Sequence, residues 1–531
     1  MNSPNTDKES SESGKALGWR DFAGLFAVSL AFAALLAWFI TTPGYLDADY
    51  YYYGGSRLAQ GYGFSEEILW NYLDGASSLP HPSHGYWGPL ASMVAAAGMA
   101  VFGVGFRAAQ LGFVLIAGLI GPSVAWFATG MGVDRRGAWL AGLLGVFSGF
   151  FAVCVSTIDN YGVLIVCGAL LMGNLARAGC IPVWLLGGSL GLLLALMVLA
   201  RIDSLLWVVL CLVALLMPQL GLLGADGDGR RKAYHAAGVM LAVFVLVIGP
   251  WFVRNMLVFG SPLGSGSTRV IFLTTYDDIF AWPASRLTMA AWLAQGWDVI
   301  ASTIWEAVKT NIALFVVAQV GIANLMFFIL GIIGIHKKPL VMLFLVGWVV
   351  LLLALAVVFP YPNGRGTFMH ASSSFLALIP LLVVWGQQRL TRWVRPSALG
   401  VILLAGAVVT TGIICYQEIF QPGWNGKPAF YVSAEQAIQE QSGIADGEAV
   451  MAANPALYAI VNERPAIIIP NEPTEKLISL AQQFGVRYVV FDENFCRTPT
   501  LDLCKGTAQM DGLIRISQIG PLRVYQIPSN D

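Results

Sequence analysis

Residues 47–88 read DADYYYYGGSRLAQGYGFSEEILWNYLDGASSLPHPSHGYWG. This stretch follows an apolar segment at 22–42 that is stopped by Pro43-Gly44. It opens on two carboxylates, Asp47 and Asp49, and carries His81 and His84 among tyrosines, tryptophans and glycines. A loop so polar and aromatic, tied to the end of a long apolar helix, suits chemistry at a water–lipid boundary. The fold turns on whether the flanking apolar segments cross a membrane.

Composition says that they do. Of 531 residues 57% are hydrophobic and 11% charged, and the mean hydropathy is +0.68. A soluble domain carries about 25% charged residues. Apolar runs of about 17–25 residues predict a polytopic α-helical membrane protein, because a helix satisfies its own backbone in lipid. Eleven spans are expected, near 22–42, 108–130, 138–155, 160–176, 182–200, 204–222, 236–253, 311–335, 339–358, 370–386 and 397–416. The run 89–104 is short and rich in Ala and Gly, and reads as a helix lying along the membrane surface. Basic (30) and acidic (31) residues balance, so nothing points to a nucleic-acid partner. Residues 1–20 read as a polar cytoplasmic tail before a retained anchor.

The short breaks VDRRG, GRRK, HKK and QQRLTRWVR all fall on the side of the N-terminus, the positive-inside pattern of a cytoplasmic face. The opposite ends then gather Asp47, Asp49, His81, His84, Asp159, Arg201, Asp203, Arg254, Arg365 and His370. The expected organisation is a membrane domain over 21–416, with outer loops at 43–107 and 254–310, and an extracytoplasmic α/β domain over 417–531. Trp282, Trp292, Trp297 and Trp305 suit the membrane interface. Cys496 and Cys504 are the only cysteines of the outer domain, and the turn-forming RTPTLDL between them lets them close a disulfide.

Asp47 and Asp49 share a side only if their segment is extended; either can act as general base or as ligand to a hard cation. His81 and His84 can supply ligands for a divalent metal, His84 beside these two aspartates. His81, His84, Tyr86 and Asp159 are candidates for an acceptor pocket. In FPYPNGRGTFMH, glycines flank Arg365 and let a backbone approach a ligand. Its guanidinium suits a phosphate, with Arg254, Arg201 and His370 as assistants. The bland alternatives are a helix-capping aspartate, imidazoles bound within the loop, and arginines paired with carboxylates such as Asp203.

An Asp-bearing first outer loop, the segment LAQGYGF, a Pro-Leu surface helix, VFGVGFR, RNMLVFGSP and RGTFMH follow one another in this order. That series resembles the GT-C membrane glycosyltransferases, including bacterial relatives of the protein mannosyltransferases and the aminoarabinose lipid A transferases, over roughly 20–416. The resemblance implies a plasma (inner) membrane enzyme whose donor is a polyprenyl-phosphate-linked sugar. It implies an acceptor that is a glycan, a lipid or a protein, and inversion at the sugar. The family's aspartate maps best onto Asp47. This chain has Asp-Ala-Asp where many members have Asp-Glu or Asp-Asp, which leaves the base open between Asp47 and Asp49, and the metal open too. The competing class is a transporter or flippase, which predicts broken helices and ionisable groups at mid-span.

Overall fold

A computed structural model describes residues 17–363, 366–390, 395–421, 423–441, 444–445, 447–507 and 512–528. The chain is mainly helical and is a multi-pass membrane protein. Seven helices among the described residues are long and apolar enough to cross a membrane: Trp19–Phe39, Phe106–Gly130, Val183–Ala200, Gly227–Phe259, Trp297–Val320, Pro339–Val358 and Pro396–Phe420. The pair Thr367–Phe375 and Leu378–Leu390, bent by 58°, makes an eighth if counted as one span.

The expected count of eleven differs from this for local reasons. The run 138–155 is divided into helices Arg135–Val146 and Phe150–Cys154, with Gly149 at φ +63° between them. Tyr161–Ala176 and Leu205–Leu216 are helical but only 16 and 12 residues long. The span expected at 311–335 is already helical from Trp297 and stops at Gly321 (φ +75°), after which Ile322–Ile332 forms a separate helix. The outer loop expected to end at 310 is shorter by the same amount. Residues 90–102 do form a separate helix.

The described chain falls into two compact units. The first runs up to Phe39 and includes Gln110–Trp251 and Ile304–Glu418; the second comprises Ile40–Ala109, Phe252–Thr303 and Ile419–Asp531. In the first unit a buried carboxylate ties the first helix to its neighbour. Asp21 accepts three hydrogen bonds from Arg135, at 2.7, 3.0 and 3.1 Å, and one from Trp139 Nε1 at 2.9 Å.

The second unit joins both expected outer loops to the C-terminal α/β region. Its six-stranded sheet runs in the order β2 (Ile68–Leu69), β5 (Ala466–Ile468), β4 (Val450–Ala452), β6 (Tyr488–Asp492), β8 (Leu522–Gln526), β7 (Ile514–Ile519). β1 (Ser65–Glu66) and β3 (His81–Pro82) form a separate antiparallel pair. The first four strands of the sheet are parallel, β8 runs antiparallel to β6, and β7 antiparallel to β8. Strands β4 and β5 are buried throughout, which is why they read as continuous apolar runs. The edge strand β2 is supplied by the first loop. Tyr72 secures it by donating its hydroxyl to the Ile468 carbonyl. From the other loop, Arg286 reaches Asp278 at 3.1 Å and Glu472 at 3.0 Å.

Cys496 and Cys504 are joined by a disulfide, with Cα atoms 5.6 Å apart. By the chain-entropy account so short a loop contributes about 2–3 kcal/mol. Replacing both cysteines by serine should lower the unfolding free energy of this unit by that amount, read as a lowered denaturant midpoint. An unchanged midpoint would make the bridge dispensable.

Candidate functional site

Residues Leu46–Ala59 form a helix rather than a strand. Positions two apart on a helix differ by about 200° around its axis, so Asp47 and Asp49 face opposite ways. Asp47, in the first turn, is half-buried. A carboxylate there is favoured by the unsatisfied N–H groups and dipole of the helix start. Asp49 is 1% exposed. Its Oδ2 accepts a 2.7 Å hydrogen bond from Asn454 Nδ2, and its Oδ1 has no hydrogen-bond partner among the described residues.

Burial pushes the Asp49 carboxyl up to about 7, against the pull of the Asn454 hydrogen bond and the Lys427 charge. The folded state holds this proton after the unfolded chain has lost its own near pH 4. The resulting stabilisation is complete below about pH 4 and is lost as pH rises through about 7.

The two loop histidines are engaged within the same unit. His81 Nε2 lies 2.9 Å from Glu66 Oε1, and Nδ1 lies 3.6 Å from Asp74 Oδ2. Burial disfavours its charge, but the Glu66 charge and hydrogen bond, aided by Asp74, outweigh it and raise the imidazole to about 9. His81 is therefore a buried cation at neutral pH, with no lone pair for a metal. Its contribution to stability is full below its ordinary 6.5 and is lost as pH rises through about 9.

His84 (φ +62°) has Nδ1 2.7 Å from Ser83 Oγ and Nε2 3.0 Å from Ser92 Oγ. The Ser92 hydroxyl donates to the Tyr51 carbonyl, so it accepts from His84 Nε2–H, and Nδ1 accepts from Ser83. Burial, helped by the Arg254 charge, lowers this imidazole to about 3, and it stays neutral. Both ring nitrogens are occupied, which takes His84 away from a cation. Tyr86 is half-buried and stacks on Trp70 with ring centroids 5.5 Å apart.

Arg254 donates to the carbonyls of Ser83 (2.8 Å) and Phe64 (3.3 Å) and to Asn255 Oδ1 (3.0 Å). It clamps the two halves of the first loop together.

In the first unit Asp159 and His370 come together, Oδ1 to Nδ1 at 3.8 Å. His370 stacks on Tyr161 with centroids 4.2 Å apart. Arg201 is held by Asp203 through two contacts of 2.7 and 3.1 Å, the pairing the sequence left as its alternative. Asn160, beside Asp159 and 1% exposed, has no hydrogen-bond partner for either side-chain amide atom among the described residues. A carboxylate and an imidazole this close offer two ligand atoms to a divalent cation. Arg365 lies outside the described residues.

Reading the sequence missed Asn454, Lys427 and Trp424. Asn454-Pro455 carries a helix-start signal, and Asn454 Oδ1 does accept from Leu457 N at 3.1 Å. Nothing in the sequence announces that its other end reaches Asp49.

No protein-family model matches the sequence, and no curated protein matches it. Solved structures do. The archaeal oligosaccharyltransferase AglB from Archaeoglobus fulgidus, in complex with an inhibitory peptide and a dolichol-phosphate, superposes with a TM-score of 0.57 at 12% identity, covering 89% of this chain and 69% of that one. ArnT from Cupriavidus metallidurans, bound to undecaprenyl phosphate, gives 0.51 at 13% identity over 97% of this chain and 99% of its own. The mycobacterial arabinofuranosyltransferase AftD gives 0.50 at 14% identity over 98% of this chain, which spans 40% of AftD. These neighbours are GT-C enzymes, and the fold of this chain is of the GT-C type.

Proposed function

We propose that the chain is an integral membrane glycosyltransferase that moves a sugar from a polyprenyl-phosphate donor to a glycan, lipid or protein acceptor on the outer face of the membrane. The observation that carries this reading is the split between the two aspartates: Asp47 stands half-exposed at a helix start, while Asp49 is enclosed. The GT-C fold, with neighbours solved bound to dolichol-phosphate and undecaprenyl phosphate, supports the donor class.

In this reading Asp47 removes the proton from the acceptor's hydroxyl or amine as that atom attacks the anomeric carbon. The sugar–phosphate bond breaks on the opposite face, so the configuration inverts. Negative charge grows on the departing lipid phosphate, where Arg365 and Arg201 stabilise it electrostatically. Asp159 and His370 are the residues of the first unit that would hold a divalent cation, which would supply Lewis-acid charge there. Arg254, His81 and His84 keep the loop in shape.

Incubating the purified protein with labelled polyprenyl-phosphate sugars and a membrane extract tests the activity directly. Label appearing in a non-donor product is expected; no transfer from any such donor would reject the reading. The broken helices at Gly321 and at the 58° bend favour a transporter as the second reading. Donor-independent flux of a lipid-linked or small solute into proteoliposomes would support that instead.

The orientation has its own test. Ser77 is exposed in the first loop, and a Ser77→Cys variant should react with a membrane-impermeant thiol reagent in intact cells. Reaction only after the cytoplasmic side is opened would reverse the topology.

A further inference from the structure

The chain approaching Asp47 is held, residue by residue, by one segment of the C-terminal region. Thr41 donates its N–H and its hydroxyl to Asn425 Oδ1, both at 2.9 Å. Thr42 and Trp424 exchange two bonds: the Thr42 hydroxyl donates to the Trp424 carbonyl at 3.2 Å, and Trp424 Nε1 donates to the Thr42 carbonyl at 3.1 Å. Lys427 Nζ donates to the Gly44 carbonyl at 3.1 Å. Tyr45 meets the Trp424 ring edge-on, centroids 5.6 Å apart. Past Asp47, Asp49 is bonded to Asn454 at 2.7 Å. Asp47 thus lies between two fixed points supplied by residues 424–454.

We propose that this segment is a positioning element for Asp47, with the buried Asn454–Asp49 hydrogen bond as its anchor. The inference rests on Asp47 being the base. An amide–carboxylate pair suits the task because it is directional, and because the amide's other end is fixed as the cap of helix Pro455–Asn462. Displacing a catalytic group by about 1 Å can cost on the order of a hundredfold in rate, so a local anchor has large leverage.

Asn454→Ser isolates the anchor. Serine caps a helix as well as asparagine does, so the helix start survives while the shorter side chain no longer reaches Asp49. The single variant should lose about tenfold or more in kcat, with KM for the donor little changed. Asp49→Ala removes the other half of the same bond, so the double variant should be no slower than the slower single one. Hydrogen exchange of the peptide spanning 41–52, measured on the full-length protein, should follow the same order: fast in either single variant and no faster in the double. Unchanged exchange and kcat in Asn454→Ser, or additive losses in the double variant, would overturn the proposal. If the parent transfers no sugar, the reading of Asp47 as base fails, while the exchange measurement still decides whether Asn454 and Asp49 anchor the segment.

Discussion

An Asp47→Asn enzyme should transfer sugar about a hundredfold more slowly than the parent, or slower still, the scale on which a general base contributes. The substitution is nearly isosteric, and asparagine is tolerated in a first helical turn, so neither fold nor donor affinity should move. Because the exchange removes the basic oxygen and keeps the size of the side chain, the loss should fall on the chemical step. Single-turnover transfer from a labelled donor, beside an equilibrium measurement of donor binding, separates the two. Near-parent transfer would remove Asp47 from the base role. Weakened donor binding at an unchanged rate would make it a binding residue.

Gly44→Ala should be strongly damaging for a single added methyl group. Gly44 holds φ +95°, a conformation that costs an L-residue about 1–3 kcal/mol. A Cβ there would also enter the Trp424 indole. That ring is held by its Nε1 bond to the Thr42 carbonyl, and the Trp424 backbone by the Thr42 hydroxyl, so the indole cannot swing away freely. Strain and overlap together should cost about 2–5 kcal/mol, read as a fall in the thermal midpoint of the detergent-solubilised protein and as easier proteolysis within 40–60. Trp424→Ala in the same background should relieve the overlap but not the backbone strain, giving partial recovery. A Gly44→Ala protein as stable as the parent would mean that the approach to Asp47 is held loosely.

What could be read from the sequence and what could not divide along physical lines. Length and hydropathy mark Trp19–Phe39 or Pro339–Val358 because a span must be both long and apolar. They do not foresee the stop at Gly321, where a single backbone conformation ends a run that is apolar on both sides. The strands β4, β5 and β6 are short buried runs between turn signals and are legible as such. β2 is two residues long and takes its partner from the far end of the chain, so no local pattern reveals it.

Arg254 illustrates the same limit at the site. A guanidinium beside a loop invites a phosphate, yet two of its acceptors are backbone carbonyls, at Phe64 and Ser83, that no residue type advertises. Asp47 and Asp49 could be separated only once the backbone was known to be helical, for the tyrosine run that follows them favours neither state clearly.

The pairing of Ile68 with Ala466 also sets a timetable. During synthesis the strand in the first loop emerges roughly 400 residues before the edge it will join. At about 5–20 residues per second, that leaves the strand waiting on the order of 20–80 s. Through that interval Ile68 and Leu69, fully buried in the finished protein, have no sheet to enter, and the approach to Asp47 lacks Trp424, Lys427 and Asn454. The nascent chain must be shielded by the insertion machinery or by lipid for most of its own manufacture. Catalytic competence would then arrive late and all at once, with the last strands, rather than span by span.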